Sequence, residues 1–94
     1  MAIIVFIPTP LRPAVSGEAS VSLDYEGAVS GLLEQLVVSY PDIGKHLLDG
    51  QGNLRGFINL YVNDADIRDA QGQDTRLQSG DKVSIVPSIA GGLI

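Results

Sequence analysis

Two apolar, β-branched runs stand at opposite ends of the chain, Ile3-Ile4-Val5-Phe6-Ile7 and Lys82-Val83-Ser84-Ile85-Val86-Pro87. Pro8 bounds the first and the Ser79-Gly80-Asp81 turn precedes the second, so both read as strands. Both are largely apolar, which suits the middle of a sheet. The expectation is that residues 3–7 and 83–86 lie side by side and parallel. A chain whose first and last strands are central neighbours must cross over in between, and this limits the folds open to it.

The intervening elements fit such a crossover. Val21 and Leu23 alternate with Ser20, Ser22 and Asp24, which predicts a half-exposed second strand in a hairpin with the first. Pro8, Pro10 and Pro13 predict an extended, non-helical loop between them. Asp24 is the expected N-cap of a helix over residues 24–39. Ala28, Leu32, Leu36 and Tyr40 recur every fourth residue, beside the row Val29, Leu33 and Val37, and give the helix a broad apolar face with Leu36 in the core. Pro41 closes it. Ile43, Leu47 and Leu48 predict a short second helical turn, and residues 49–56, with Gly50, Gly52 and Gly56, a loop.

Residues 57–62 form the next strand, Asn63 and Asp64 a turn, and Ile67 with Arg68 a short return strand. Leu77 sits in a polar segment before the final strand. The order is strand, strand, helix, strand, short strand, strand. With the first pair antiparallel and the helix crossing their sheet, this is the β-grasp arrangement. It is an α+β roll with a mixed sheet packed on one main helix. Residues 1–88 make one domain, and residues 89–94, which have no periodicity, a flexible C-terminal tail.

Size and charge narrow the chemistry. A chain of 94 residues supports one core and leaves little room for a deep catalytic cleft. The absence of Cys excludes disulfides, thiol nucleophiles and thiolate metal sites, and makes a cytoplasmic location the expectation. A formal net charge of -5 repels phosphates, so neither nucleic acid nor an anionic membrane is an expected partner. A protein with a basic docking face fits better. The apolar start has no Lys or Arg ahead of it and stops at Pro8, unlike a signal peptide.

Few side chains suggest catalysis. His46 is the only histidine and reads as a surface residue at a helix end. Asp64, Asp66, Asp69 and Asp74 lack the glycine and terminal Glu of a calcium loop, so they read as a solvated turn and no metal site is expected. Gly50, Gly52 and Gly56 precede a strand instead of a helix and make a loop, not a dinucleotide fingerprint. No Ser is placed with a His–acid pair. Period two puts Ile58, Leu60 and Val62 on the core face of their strand and Phe57, Asn59 and Tyr61 on the other. Phe57 and Tyr61 either form an exposed patch for partner docking or are covered by loops.

With these elements placed, the chain resembles the ThiS/MoaD family of ubiquitin-like sulfur carriers. The resemblance covers the whole chain. It rests on residues 5–13, Val-Phe-Ile-Pro-Thr-Pro-Leu-Arg-Pro, and on the helix after Asp24. It rests also on residues 57–68, Phe-Ile-Asn-Leu-Tyr-Val-Asn-Asp-Ala-Asp-Ile-Arg, on residues 79–87, and on Ala90-Gly91-Gly92. The Ile-Pro-Thr-x-Leu-Arg-Pro stretch is most similar to the branch that delivers sulfur for cysteine synthesis.

The resemblance implies a carrier and not an enzyme. No cofactor is bound, and ATP is used by an E1-like adenylating partner. In that family the C-terminal glycine carboxylate is adenylated, and sulfur then displaces AMP to leave a thiocarboxylate. The match puts that role on Gly92, with Gly91 and Ala90 threading the partner's channel. Glycines suit a narrow channel because they carry no Cβ. A six-residue tail, extended at roughly 3.3 Å per residue, reaches about 20 Å. Carriers of this type end at the second glycine, whereas here Leu93 and Ile94 follow it. The resemblance implies that a JAMM-type zinc peptidase removes them before activation. It also implies a sulfur-accepting biosynthetic enzyme, for which a cysteine-synthase-like protein is one candidate. The competing readings are a ubiquitin-like modifier conjugated through Gly92 and a plain interaction domain whose glycine pair is only a frayed terminus.

Overall fold

The computed structural model describes residues 2–56 and 58–87. Strand β1 (Ile3–Phe6) pairs antiparallel with β2 (Ser20–Leu23) on one side and parallel with β7 (Lys82–Pro87) on the other. β7 in turn pairs antiparallel with β4 (Ile58–Val62), which carries the short β5 (Ala65–Asp66) at the far edge. The sheet order is therefore β2-β1-β7-β4-β5, with the chain's first and last strands adjacent and central. Val5 opposite Val83 and Leu60 opposite Ile85 set the register.

Helix α1 (Val29–Ser39) lies on one face of this sheet and buries Val29, Leu32, Leu33 and Leu36 against Ile3, Val5, Leu60, Val83 and Ile85. Leu36 is fully buried, as the helix-face pattern requires. Each such side chain contributes about 1.5–3 kcal/mol of hydrophobic stabilisation. Helix α2 (Pro41–Leu47) begins on Pro41 itself, where a missing N–H costs nothing, and adds Ile43 and Leu47 to the core. Gly44 allows it close to α1: a Cβ there would lie 3.1 Å from a Val37 methyl.

Four local expectations are corrected. The proline segment is a 3-10 helix, Thr9–Val15, and not an extended loop. Proline's fixed φ is compatible with that conformation, Pro10 sits in the first turn, and burial of Leu11 and Val15 rewards the coiling. Arg12 Nε ties it down by donating to the Ile7 carbonyl at 3.0 Å.

The helix starts at Val29, with Ala28 and not Asp24 as the N-cap residue. Gly27 and Ala28 form β3, which pairs with β6 (Arg76–Leu77), and Tyr25 Oη donates to the Ala28 carbonyl at 2.6 Å. These bonds hold residues 25–28 extended. Leu77, expected in a polar segment, is accordingly a buried strand residue. Finally, Ile67 and Arg68 are not a return strand. β5 takes that place one step earlier, because Asn63 and Asp64, at φ 50° and 74°, make a tight two-residue turn between Val62 and Ala65. Residues Ile67–Asp69 then coil into a 3-10 turn capped by Asp66, whose side chain accepts from the Arg68 N–H.

Candidate tail-bearing face

The central strand β7 delivers the chain to its C-terminal segment. It is held over Lys82–Pro87 between β1 and β4, and Pro87 stands opposite Ile58. Residues 88–94 lie outside the described residues, and with them Ala90, Gly91, Gly92, Leu93 and Ile94. Phe57 lies outside as well.

What the structure does place is the surface from which that segment departs. Period two turns Val83 and Ile85 inward and leaves Lys82, Ser84 and Val86 on the face away from α1. On β1, Ile3 and Val5 point inward while Ile4 and Phe6 share that outer face. Phe6 and Tyr61 flank Ser84 in one row, since Phe6 and Ser84 are partners and Ser84 and Tyr61 are partners. Val86 and Asn59 form the next row toward the C-terminal end of β7. Phe6 is 42% exposed and Val86 41%, and Tyr61 is half-buried. Tyr61 therefore does stand on the outward face, but its apolar neighbours there are Phe6, Val86 and the half-buried Ile4. The sequence expectation of an exposed patch names Phe57 and Tyr61 and none of these three. Alternation within each strand carries the signal: once Ile3, Val5, Val83 and Ile85 are assigned inward, the residues between them must face out.

Two carboxylates are held by local hydrogen bonds. Asp66 is held below the usual carboxylate range by hydrogen bonds from the Arg68 side chain and backbone, with Nη2 at 3.1 Å. Asp49 is lowered by the backbone N–H groups of Asn53 and Gln51, which cap a turn at 3.1 and 2.8 Å. His46 is exposed near the end of α2, as expected. Among the described residues no three His, Cys, Asp or Glu side chains converge as a metal site. No helix among them is long and apolar enough to cross a membrane. The described residues form a β-grasp body with an apolar outer face.

Comparison with known proteins bears out the resemblance read from the sequence. The model of the ThiS family matches residues 5–92, a span that ends on the second glycine. The sulfur carrier protein CysO of Mycobacterium tuberculosis is 39% identical over 94 residues, covering 98% of this chain and 100% of that protein. A chain of the BexX/CysO complex from Amycolatopsis orientalis superimposes with a TM-score of 0.87 at 35% identity, covering 97% of this chain and all of that one. The small archaeal modifier protein 1 of Methanosarcina acetivorans gives a TM-score of 0.85 at 27% identity, covering 97% of this chain and 96% of that one. With its β-grasp sheet, its central parallel pair of first and last strands and a match that spans nearly its whole length, this chain belongs to the ThiS family.

Proposed function

We propose that this protein is a sulfur carrier whose Gly92 becomes a thiocarboxylate. The observation that carries the reading is the full-length match to CysO sulfur carriers together with a family match that runs through Gly91 and Gly92. In the full sequence the Gly92 carbonyl is locked in a peptide bond to Leu93. A zinc peptidase of the JAMM type hydrolyses that bond, releasing Leu93 and Ile94. A freed Gly92 carboxylate oxygen then attacks the α-phosphorus of ATP on an E1-like partner and expels pyrophosphate. A sulfur nucleophile attacks the resulting acyl adenylate at carbon and expels AMP. The loaded tail finally gives up its sulfur to a biosynthetic enzyme, for which a cysteine-synthase-like protein is the candidate. The protein contributes no acid, base or nucleophile beyond that carboxylate. This ATP-dependent chemistry is that of the cytoplasm.

The apolar face of Ile4, Phe6, Tyr61 and Val86 supports the same reading, because it lies where a partner holding the tail would rest. In the BexX/CysO complex a relative is seen with a partner protein. A second reading, a ubiquitin-like modifier joined through Gly92 to amines, draws support from the likeness to a small archaeal modifier protein. One experiment separates them. Chains ending at Gly92 and at Ile94 are incubated with an E1-like partner, ATP and a sulfur donor, and intact masses are read. We expect one sulfur-for-oxygen exchange in the Gly92 form only. High-mass conjugates would favour the modifier, and no change in either form would leave a plain interaction domain.

A further inference from the structure

The sheet is incomplete beside β4. β5 pairs only with Tyr61 and Val62, so among the described residues the outer edge of Ile58, Asn59 and Leu60 has no strand against it, the Ile58 N–H being taken by the Arg55 carbonyl at 3.0 Å. An open notch of about 230 Å³ lies along that edge, with Leu54 and Ile67 among its apolar walls and, among the described residues, Arg55 and Arg68 as its charged ones. The chain holds 11 acidic and 6 basic side chains, so a notch lined, among the described residues, by two arginines and no carboxylate runs against the overall charge. Arg55 is held through Nε, which donates to the Lys45 carbonyl at 3.0 Å. Arg68 is held through Nε and Nη2 on Asp66, which offsets part of its charge. Among the described residues the two Nη groups of Arg55 and Nη1 of Arg68 make no hydrogen bond.

We propose that this notch receives an extended acidic segment of the partner that takes the tail, laid along residues 58–60 with a carboxylate between Arg55 and Arg68. Open strand edges accept extended peptides through main-chain hydrogen bonds, and guanidinium groups select carboxylates. Location argues for the same partner. Pro87, the last described residue of β7, is opposite Ile58, one strand spacing or about 5 Å from β4. A protein seated at the C-terminal end of β7 is one strand away from the notch. The proposal rests on the carrier reading only in supposing such a partner. Long polyanions are a poorer fit, because the net charge of -5 repels them while a short segment meets only the two arginines.

The test has two arms. In the first, a capped Glu-Val-Glu-Val-Glu peptide and its Lys-for-Glu counterpart are titrated into the isotope-labelled chain. The Glu peptide alone should shift the amides of Leu60, Ile67 and Gly72. Arg55→Gln should weaken that binding while leaving the Asp66–Arg68 pair intact, and R55Q/R68Q should weaken it by about tenfold or more. In the second, the partner's KM for the Gly92-terminated chain should rise in R55Q/R68Q with kcat unchanged. Shifts that map elsewhere, persist in the double variant or are reproduced by inorganic phosphate would overturn the proposal, as would an unchanged KM. If the wild-type chain is never activated, the carrier reading fails, and the peptide arm still decides the notch.

Discussion

Tyr25 shows how one side chain fixes a boundary. Its hydroxyl caps the Ala28 carbonyl, and its ring lies over Gly27 and Gly31 so closely that a Cβ at Gly31 would overlap the hydroxyl and sit 2.9 Å from Cζ. Gly31→Ala should therefore displace the ring and cost about 1–3 kcal/mol, although Ala is the better helix former. In a Tyr25→Ala background the same change should be neutral or favourable. Chemical denaturation of the four proteins gives the coupling, and additive effects would remove Tyr25 from the account. Asp66 works at the same scale through protons. Its folded pKa is depressed by Arg68, so the unfolded chain binds the proton more readily. The pair's contribution is fully present above the ordinary carboxylate range, near about pH 4, and fades as pH falls through the lower folded value. Asp66→Asn should flatten the stability profile below about pH 4 and leave its shape at neutral pH unchanged, as read by thermal melts across pH.

At the scale of elements, the turn between β4 and β5 also anchors β7. The Asn63 side chain accepts from the Lys82 N–H at 3.0 Å and donates to Asp81 at 2.9 Å, while its backbone stands at φ 50°. Asn63→Gly loses the two bonds, worth about 0.5–1.5 kcal/mol each. Asn63→Ala loses them and adds left-handed strain of about 1–2 kcal/mol, so Ala should melt below Gly. Leu36→Ala, in the middle of α1 and fully buried, should cost about 2–5 kcal/mol by denaturant titration. Elements with a strong apolar period were legible in advance: β1, β7, β4 and the buried face of α1. What escaped were segments ruled by contacts distant in sequence. Asp24 looks like a cap until Arg76 and Leu77 claim residues 27 and 28 as a strand. The proline segment looks extended until Leu11 and Val15 find the core. The apolar outer face was legible only in part, through Tyr61, because Phe6 and Val86 sit inside largely apolar runs assigned to the middle of the sheet.

For the whole molecule, the proposed function divides the labour between the β-grasp body and Gly92. If Gly92 is the acyl carbon that partners handle, Gly92→Ala in the Gly92-terminated form should lower the rate of ATP–pyrophosphate exchange by at least about tenfold, since a methyl group crowds the carbonyl in a channel shaped for glycine. Its melting temperature should be unchanged. Equal exchange rates would place the reaction elsewhere. The position of β7 has a mechanical side. Because that strand is bonded along both flanks, to a parallel neighbour and to an antiparallel one, tension applied at its C-terminal end and directed along it loads both ladders in shear. Bonds loaded in shear must fail together, whereas those at a peeled edge fail one at a time. On the proposed function, an enzyme that tugs the terminus, or wrenches it free afterwards, would pull against a body that serves as a fixed grip and does not unravel.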